Sequence, residues 1–261
     1  MSSTDLETAL TAHFGPGGLR RYAGTPGLPG SVGLPVQVGP YFTAAEAHQD
    51  PLVEGHGLRL GDDRGAELYV ADDGAVRALL FDEEMPVNST ADAFAASLLT
   101  LDRLLPGVGG AADAQQALDT YRELRQALLT IDEAAFAERE GWWPRVLDDI
   151  RHPLNIRFSA ALEYVDGRGE KQIITEATAP GLPHPEEILW HRLSAAGVQP
   201  EDVTRVYCEL EPCLMPGHYC AVWMARTFPD AEFTHSFDYG ETADSREQGI
   251  RELMIHVAEQ Q

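Results

Sequence analysis

Three side chains in the second half of the sequence have the types and spacing to hold a metal ion: His184, Cys213 and Cys220. An imidazole and two thiolates make a zinc ligand set, and three protein ligands leave a fourth position for water, the pattern of a catalytic site. Zinc held this way lowers the pKa of water enough to yield a nucleophile near neutral pH. A proton must then pass between that water and a substrate, and Glu186 and Glu187 lie just beyond His184. The residues alone leave both open as the shuttle. Six residues, LMPGHY, separate the two cysteines. Cys220 reaches the metal only if Pro216-Gly217 forms a bulging turn and a helix starts near His218. His218 is itself a rival ligand.

The elements around these residues must bring them to one place. NIRFSAALEYVDG and GEKQIITEAT read as two strands joined by a DGRG hairpin turn. HPEEILWHRLSAAG reads as a helix with Pro185 at its first position and Gly197 just past its end. A strand (VTRVYCELEPC), a helix (GHYCAVWMARTF), a strand (AEFTHSFDYG) and a closing helix opened by Thr242 or Asp244 follow. Helices that follow adjacent strands of an open sheet begin at the same edge, so His184, Cys213 and Cys220 can converge there. Thiols at helix N-termini also ionise more readily.

Other candidates have blander readings. Cys208, inside a strand, reads as core filler, His191 as a surface or packing residue, and Trp190 and Trp223 as core. Glu209 and Glu211 flank the site by alternation. Three cysteines cannot all pair, and an odd count favours metal binding or burial over a disulfide framework.

The chain has 261 residues and a net charge of −23. Domains usually run to roughly 100 to 150 residues, so two are expected, divided at 1–135 and 136–261. No apolar run is long enough for a membrane span and the first residues do not read as a signal peptide, so the expected location is the cytoplasm. Strong acidity weighs against nonspecific duplex DNA binding, which needs a basic stripe. Arg145, Arg151, Arg157, Arg168 and Lys171 could form a local patch, although scattered arginines usually form a solvated face.

The first half has another texture. A Gly/Pro-rich run from Phe14 to Phe42 reads as loops around short extended pieces, and residues 58–85 read as a small antiparallel sheet turned by Asp-Asp-Gly. VNSTADAFAASLLTLDRLL reads as an amphipathic helix capped by Asn88 or Ser89, with Phe94, Leu98, Leu101 and Leu105 on one side. A second helix is expected over 111–131, and a third, bent near Gly141 and Pro144, over 132–150.

His184-Pro-Glu186 together with Pro212-Cys213…Cys220 resembles the zinc-dependent cytidine deaminase superfamily, whose signature is H-x-E followed by P-C-x-x-C. Among its branches the chain looks most like the bacterial toxin-type deaminases of nucleic acids or nucleotides. The resemblance implies a three-layer α/β domain with a mixed sheet. It implies zinc as cofactor, Glu186 rather than Glu187 as general acid/base, and hydrolytic deamination of cytosine. The substrate it implies is DNA, single-stranded or flipped, or else a free nucleoside or nucleotide. The spacer departs from the signature, which has two residues between the cysteines. GLPVQVGPYFTA, the strands after it and the helix from Val87 resemble the SUKH superfamily of immunity proteins, which implies an α+β first domain and a toxin or other protein partner. A noncatalytic immunity or interaction protein is therefore the competing function, and the acidity would suit capture of a basic partner.

Overall fold

The computed structural model describes residues 2–22, 33–46, 52–53 and 57–260. Part of the Gly/Pro-rich run, residues 23–32, lies outside them. The chain divides into two compact units, residues 1–148 and 149–261. The sequence reading divides it earlier. The intervening stretch carries Trp142 and Trp143, whose indole N–H groups donate to Asp63 at 2.7 Å and Asn88 at 2.8 Å within the first unit.

The first unit opens with helix α1 (Ser3–Phe14), which the sequence reading did not anticipate. Ser2 and Asp5 form a reciprocal capping box that satisfies two orphan N–H groups, and Leu6 and Leu10 are its buried residues. Two short strands, β1 (Leu19–Arg20) and β2 (Leu34–Pro35), pair with each other. Strands β3 (Gln37–Val38), β4 (Phe42–Ala44), β5 (Leu52–Val53), β6 (Gly57–Asp62), β7 (Glu67–Val70), β8 (Val76–Leu80) and β9 (Glu83–Asn88) form the main sheet. All its pairings are antiparallel, as the alternation and the turn at Gly74 predict.

Helices α2 (Ala91–Gly109) and α3 (Ala114–Ile131) follow, with Phe94, Leu98 and Leu101 buried on one and Tyr121, Leu124 and Leu128 on the other. The cap of α2 is Thr90, not Asn88 or Ser89. Ser89 is diverted because its N–H and hydroxyl donate to the buried Asp132 carboxylate, which also accepts from Asn88. Helix α4 (Trp142–Asn155) starts just after Gly141. Pro144 lies in its first turn, where the missing N–H removes no intrahelical bond. The division between units falls within α4.

The second unit is built on a mixed four-stranded sheet, order β11-β10-β12-β13: β10 (Ser159–Val165), β11 (Lys171–Ala177), β12 (Val203–Leu210) and β13 (Glu232–Phe237). Its β12–β13 pair is parallel and the other pairings antiparallel. Helices α5 (Pro185–Ala195), α6 (Cys220–Thr227) and α7 (Ala243–Glu259) supply the crossovers and the close. Leu162, Val206, Cys208 and Leu210 of the sheet share one core with Leu189, Leu193, Met224, Ile250 and Leu253 of the helices. Each such aliphatic side chain contributes about 1.5–3 kcal/mol by leaving water. Helix α7 approaches the chain closely at Gly249, where a Cβ would lie 1.9 Å from the Asp238 carbonyl oxygen.

Candidate metal centre

His184 occupies the N-cap position of α5, Cys213 lies beyond the end of β12, and Cys220 is the first residue of α6. The helix expected to begin near His218 begins at Cys220 because the spacer closes on itself first. Met215 O accepts the N–H groups of His218 and Tyr219 at 3.1 and 3.0 Å. Gly217 at φ 80° and Tyr219 at φ 43° then reverse the chain through the left-handed region. Cys213 O accepts Ala221 N–H at 3.1 Å, which ties the two ends of the spacer together. As a result His184 Nδ1 lies 3.5 Å from Cys213 Sγ and 3.4 Å from Cys220 Sγ, and the three buried ligand atoms all lie within 4.8 Å of one another.

The opposite nitrogen of the His184 ring, Nε2, lies 3.0 Å from Asp149 Oδ1 of α4. A carboxylate can only accept, so the proton belongs on Nε2 and the Nδ1 lone pair is left facing the sulfurs. His218 is 3% exposed and stacks on His184, with centroids 3.9 Å apart and planes 5° apart. Its Nε2 meets Asp149 Oδ2 at 3.3 Å and its Nδ1 meets Glu187 Oε2 at 2.5 Å. Glu187 also accepts the His184 backbone N–H at 2.9 Å.

Two ligand sets are therefore conceivable, and their geometry separates them. Asp149, His184 and His218 also bring ligand atoms within 4.8 Å. An ion bound by Nε2 of both rings would have to lie near both ring planes, and stacked parallel planes do not meet. The His184–Cys213–Cys220 set has no such conflict, and its nitrogen and sulfur donors are those zinc prefers.

Charge is distributed accordingly. Burial raises the Cys220 thiol well above its ordinary pKa, and Cys213 shares its hydrogen bond. Burial also opposes ionisation of Cys213, yet the bond from Cys220 and the adjoining His184 ring outweigh it and draw that thiol well down. Burial would raise Asp149 too, but His218 and His184 hold it below the usual carboxylate range. Burial pushes Glu186 up, and the opposing pulls of His184 and of the hydrogen bond from Cys208 do not offset it.

A pocket opens on this centre. Its lining includes His184, Glu186 and Cys213 together with His152, Phe158, Leu210 and Tyr239. Glu186 is 5% exposed, and its Oε2 is buried without a hydrogen-bond partner. Of the two carboxylates, Glu186 lines the pocket and Glu187 turns to His218. Glu211 accepts the N–H groups of Tyr239 and Gly240 at 3.1 and 2.9 Å, and His152 Nδ1 lies 2.5 Å from the Tyr239 hydroxyl.

The remaining candidates are accounted for. Cys208 is buried in the core, as expected, but its thiol also bonds to Glu186. His191 is exposed, and Trp190 and Trp223 both make ring contacts with Phe228. Glu209 accepts from Ser159. Three of the suggested cations are already in ion pairs: Arg145 with Glu140, Arg151 with Glu247 and Lys171 with Glu163. The sequence reading missed Asp149, His152 and Tyr239. A usable signal was the i, i+3 spacing of Asp149 and His152, which puts both on one face of α4.

No helix of the described residues is long and apolar enough to cross a membrane. Neither the comparison with curated proteins nor that with solved structures found a match. Two family models do match: Xanthomonas-like deaminase over residues 156–256 and SUKH-4 immunity protein over residues 9–149. The second covers more than half of the sequence, so the chain belongs to the SUKH-4 immunity protein family, with a deaminase-family domain following in its second unit.

Proposed function

We propose that the second unit is a zinc-dependent hydrolytic deaminase converting cytosine to uracil, with DNA as substrate in single-stranded or flipped form. The observation that carries this reading is the gathering of His184 Nδ1, Cys213 Sγ and Cys220 Sγ within 4.8 Å of one another, beside a pocket lined by His184, Cys213 and Glu186, whose Oε2 is buried without a hydrogen-bond partner. Zinc held by His184, Cys213 and Cys220 supplies the Lewis acid that makes water nucleophilic near neutral pH.

The chain's own residues do the rest. Glu186 takes a proton from the water as its oxygen bonds to C4 of the base and passes it to N3 as the C4–N3 double bond opens; it then carries the remaining hydroxyl proton to N4 as the C4–N4 bond breaks, ammonia leaves and the C4 carbonyl forms. A carboxyl whose affinity for protons is raised by burial suits that relay. Phe158, Leu210 and Tyr239 form an apolar wall for the base and exclude bulk water. A base within a duplex is out of reach of such a pocket, hence the single strand or flipped base.

A second substrate, a free nucleoside or nucleotide, is favoured by the net charge of −23 and by the ion pairs that already engage Arg151 and Lys171. The SUKH-4 match supports toxin binding by the first unit. If the second unit were only a scaffold, the whole chain would act as a noncatalytic immunity protein.

Sequencing DNA from cells that express the chain tests activity, target base and context together. C-to-T changes that disappear with Glu186→Ala are expected. Purified, correctly folded protein without zinc would eliminate the enzymatic mechanism.

A further inference from the structure

The spacer between the cysteines carries a side chain that the zinc chemistry itself does not require. His218 is buried, lies flat on the ring of His184, and has a carboxylate oxygen at each of its nitrogens. Asp149 comes from α4, His184 and Glu187 from the start of α5, and His218 from the loop before α6. These four residues form a closed circuit. Asp149 bonds the rings of His184 and His218, and Glu187 bonds the ring of His218 and the backbone of His184.

We propose that His218 is a positioning residue that clamps Asp149 and Glu187 behind His184 and thereby sets the metal affinity of the His184–Cys213–Cys220 centre. This rests on the zinc reading of that centre. The physical reasons are three. With both nitrogens turned to carboxylates, His218 has no lone pair to offer an ion and cannot replace a cysteine. Its stacked ring blocks rotation of His184 about χ2, so Nδ1 stays aimed at the two sulfurs. It also divides the negative charge of Asp149 between two donors, which keeps that carboxylate oriented toward His184 Nε2. Partners of this kind behind a metal-ligating histidine typically change metal affinity about 10–100-fold when removed. The long spacer then has a use: a two-residue spacer has no room for a side chain that folds back beneath the ligand.

The test uses the full-length protein, with zinc affinity read by chelator competition and ligand identity by the absorption spectrum of the cobalt(II)-loaded form. His218→Ala is expected to weaken zinc about 10- to 100-fold while keeping thiolate-to-cobalt charge transfer at the intensity of two sulfurs. Asp149→Asn is expected to weaken zinc similarly. The double variant should lose little more than the worse single, because both act through one circuit. His218→Asn keeps one donor toward Asp149, so it should fall between wild type and His218→Ala; it also serves if His218→Ala fails to fold.

Zinc affinity within twofold of wild type in both His218 variants overturns the proposal. So does a cobalt spectrum in His218→Ala that shows an altered ligand set, since His218 would then be a ligand. Additive losses in the double variant overturn the circuit. Wild-type protein that binds no zinc overturns the proposed function, and this inference with it, and so is distinguishable from a failure of the clamp alone.

Discussion

Asp149 accepts the Nε2 proton of His184 at 3.0 Å, and this one bond decides which face of the imidazole meets the two sulfurs. The carboxylate reaches the site from α4, ahead of the sheet, whereas the ligands come from the loops and helix starts that follow it. The centre is thus held from two directions.

Cys213→Ala should reduce bound zinc from about one per chain to below a tenth of that, because it leaves two ligands where three are needed. Elemental analysis of purified protein reads this directly. Circular dichroism should show the second unit still folded, since its core of Leu162, Val206, Leu189 and Leu253 is untouched.

Glu186→Gln should retain zinc and fold while lowering kcat by about 10²–10⁴-fold, the usual worth of a positioned proton relay. Glu187→Gln should behave differently, with weaker metal binding and a smaller loss of kcat, because Glu187 holds His218 and the His184 backbone. Kinetics on zinc-loaded protein separate the two. A Glu187 variant with the larger kcat loss would exchange their roles.

Salt discriminates the substrates. If DNA is the substrate, activity on an oligonucleotide should fall steeply, by a factor of about ten or more, between 50 and 200 mM salt as counterion release is suppressed. An unchanged rate over that range would favour the free nucleotide, which needs few cations in a chain of net charge −23.

In the first unit, Asp132→Ala should destabilise by about 1–3 kcal/mol, since it strands the buried amide donor of Asn88, whereas the exposed Ser89 can turn to water. Urea unfolding followed by tryptophan fluorescence reads the change, because Trp143 bonds to the same Asn88. Zinc content should stay as in wild type.

Gly249→Ala should destabilise the second unit by about 1–3 kcal/mol, since the added Cβ would sit 1.9 Å from the Asp238 carbonyl and α7 must move off the chain. Thermal unfolding of the zinc-loaded protein reads this, against an exposed control such as Glu252→Ala.

Elements marked by local chemistry were legible in the sequence. Pro185 and Gly197 bound α5, Gly74 and Asp166–Gly169 turn hairpins, and the apolar intervals of α2 place Phe94, Leu98 and Leu101 in the core. Helix α1 escaped because only Leu6 and Leu10 anchor it, although its Ser2–Asp5 box was written in the chain. The cap of α2 was misplaced by one or two residues because a distant carboxylate, Asp132, claims Ser89. In the centre, the types of His184, Cys213 and Cys220 and the place of His184 at the start of α5 could be read directly. The contact of Asp149 with His184 and the orientation of His218 could not, because each is set by packing between segments remote in sequence.

The backbone bond from Ala221 N–H to Cys213 O has a kinetic meaning. Zinc fingers are unfolded until their ion arrives, so ion capture there is coupled to folding. Here the shape of the spacer is held by amide hydrogen bonds to Met215 O and Cys213 O, which do not depend on an ion. Chelator should strip the ion without melting the domain, and the rate of reloading should follow the traffic of ions through the pocket mouth rather than the pace at which a chain folds.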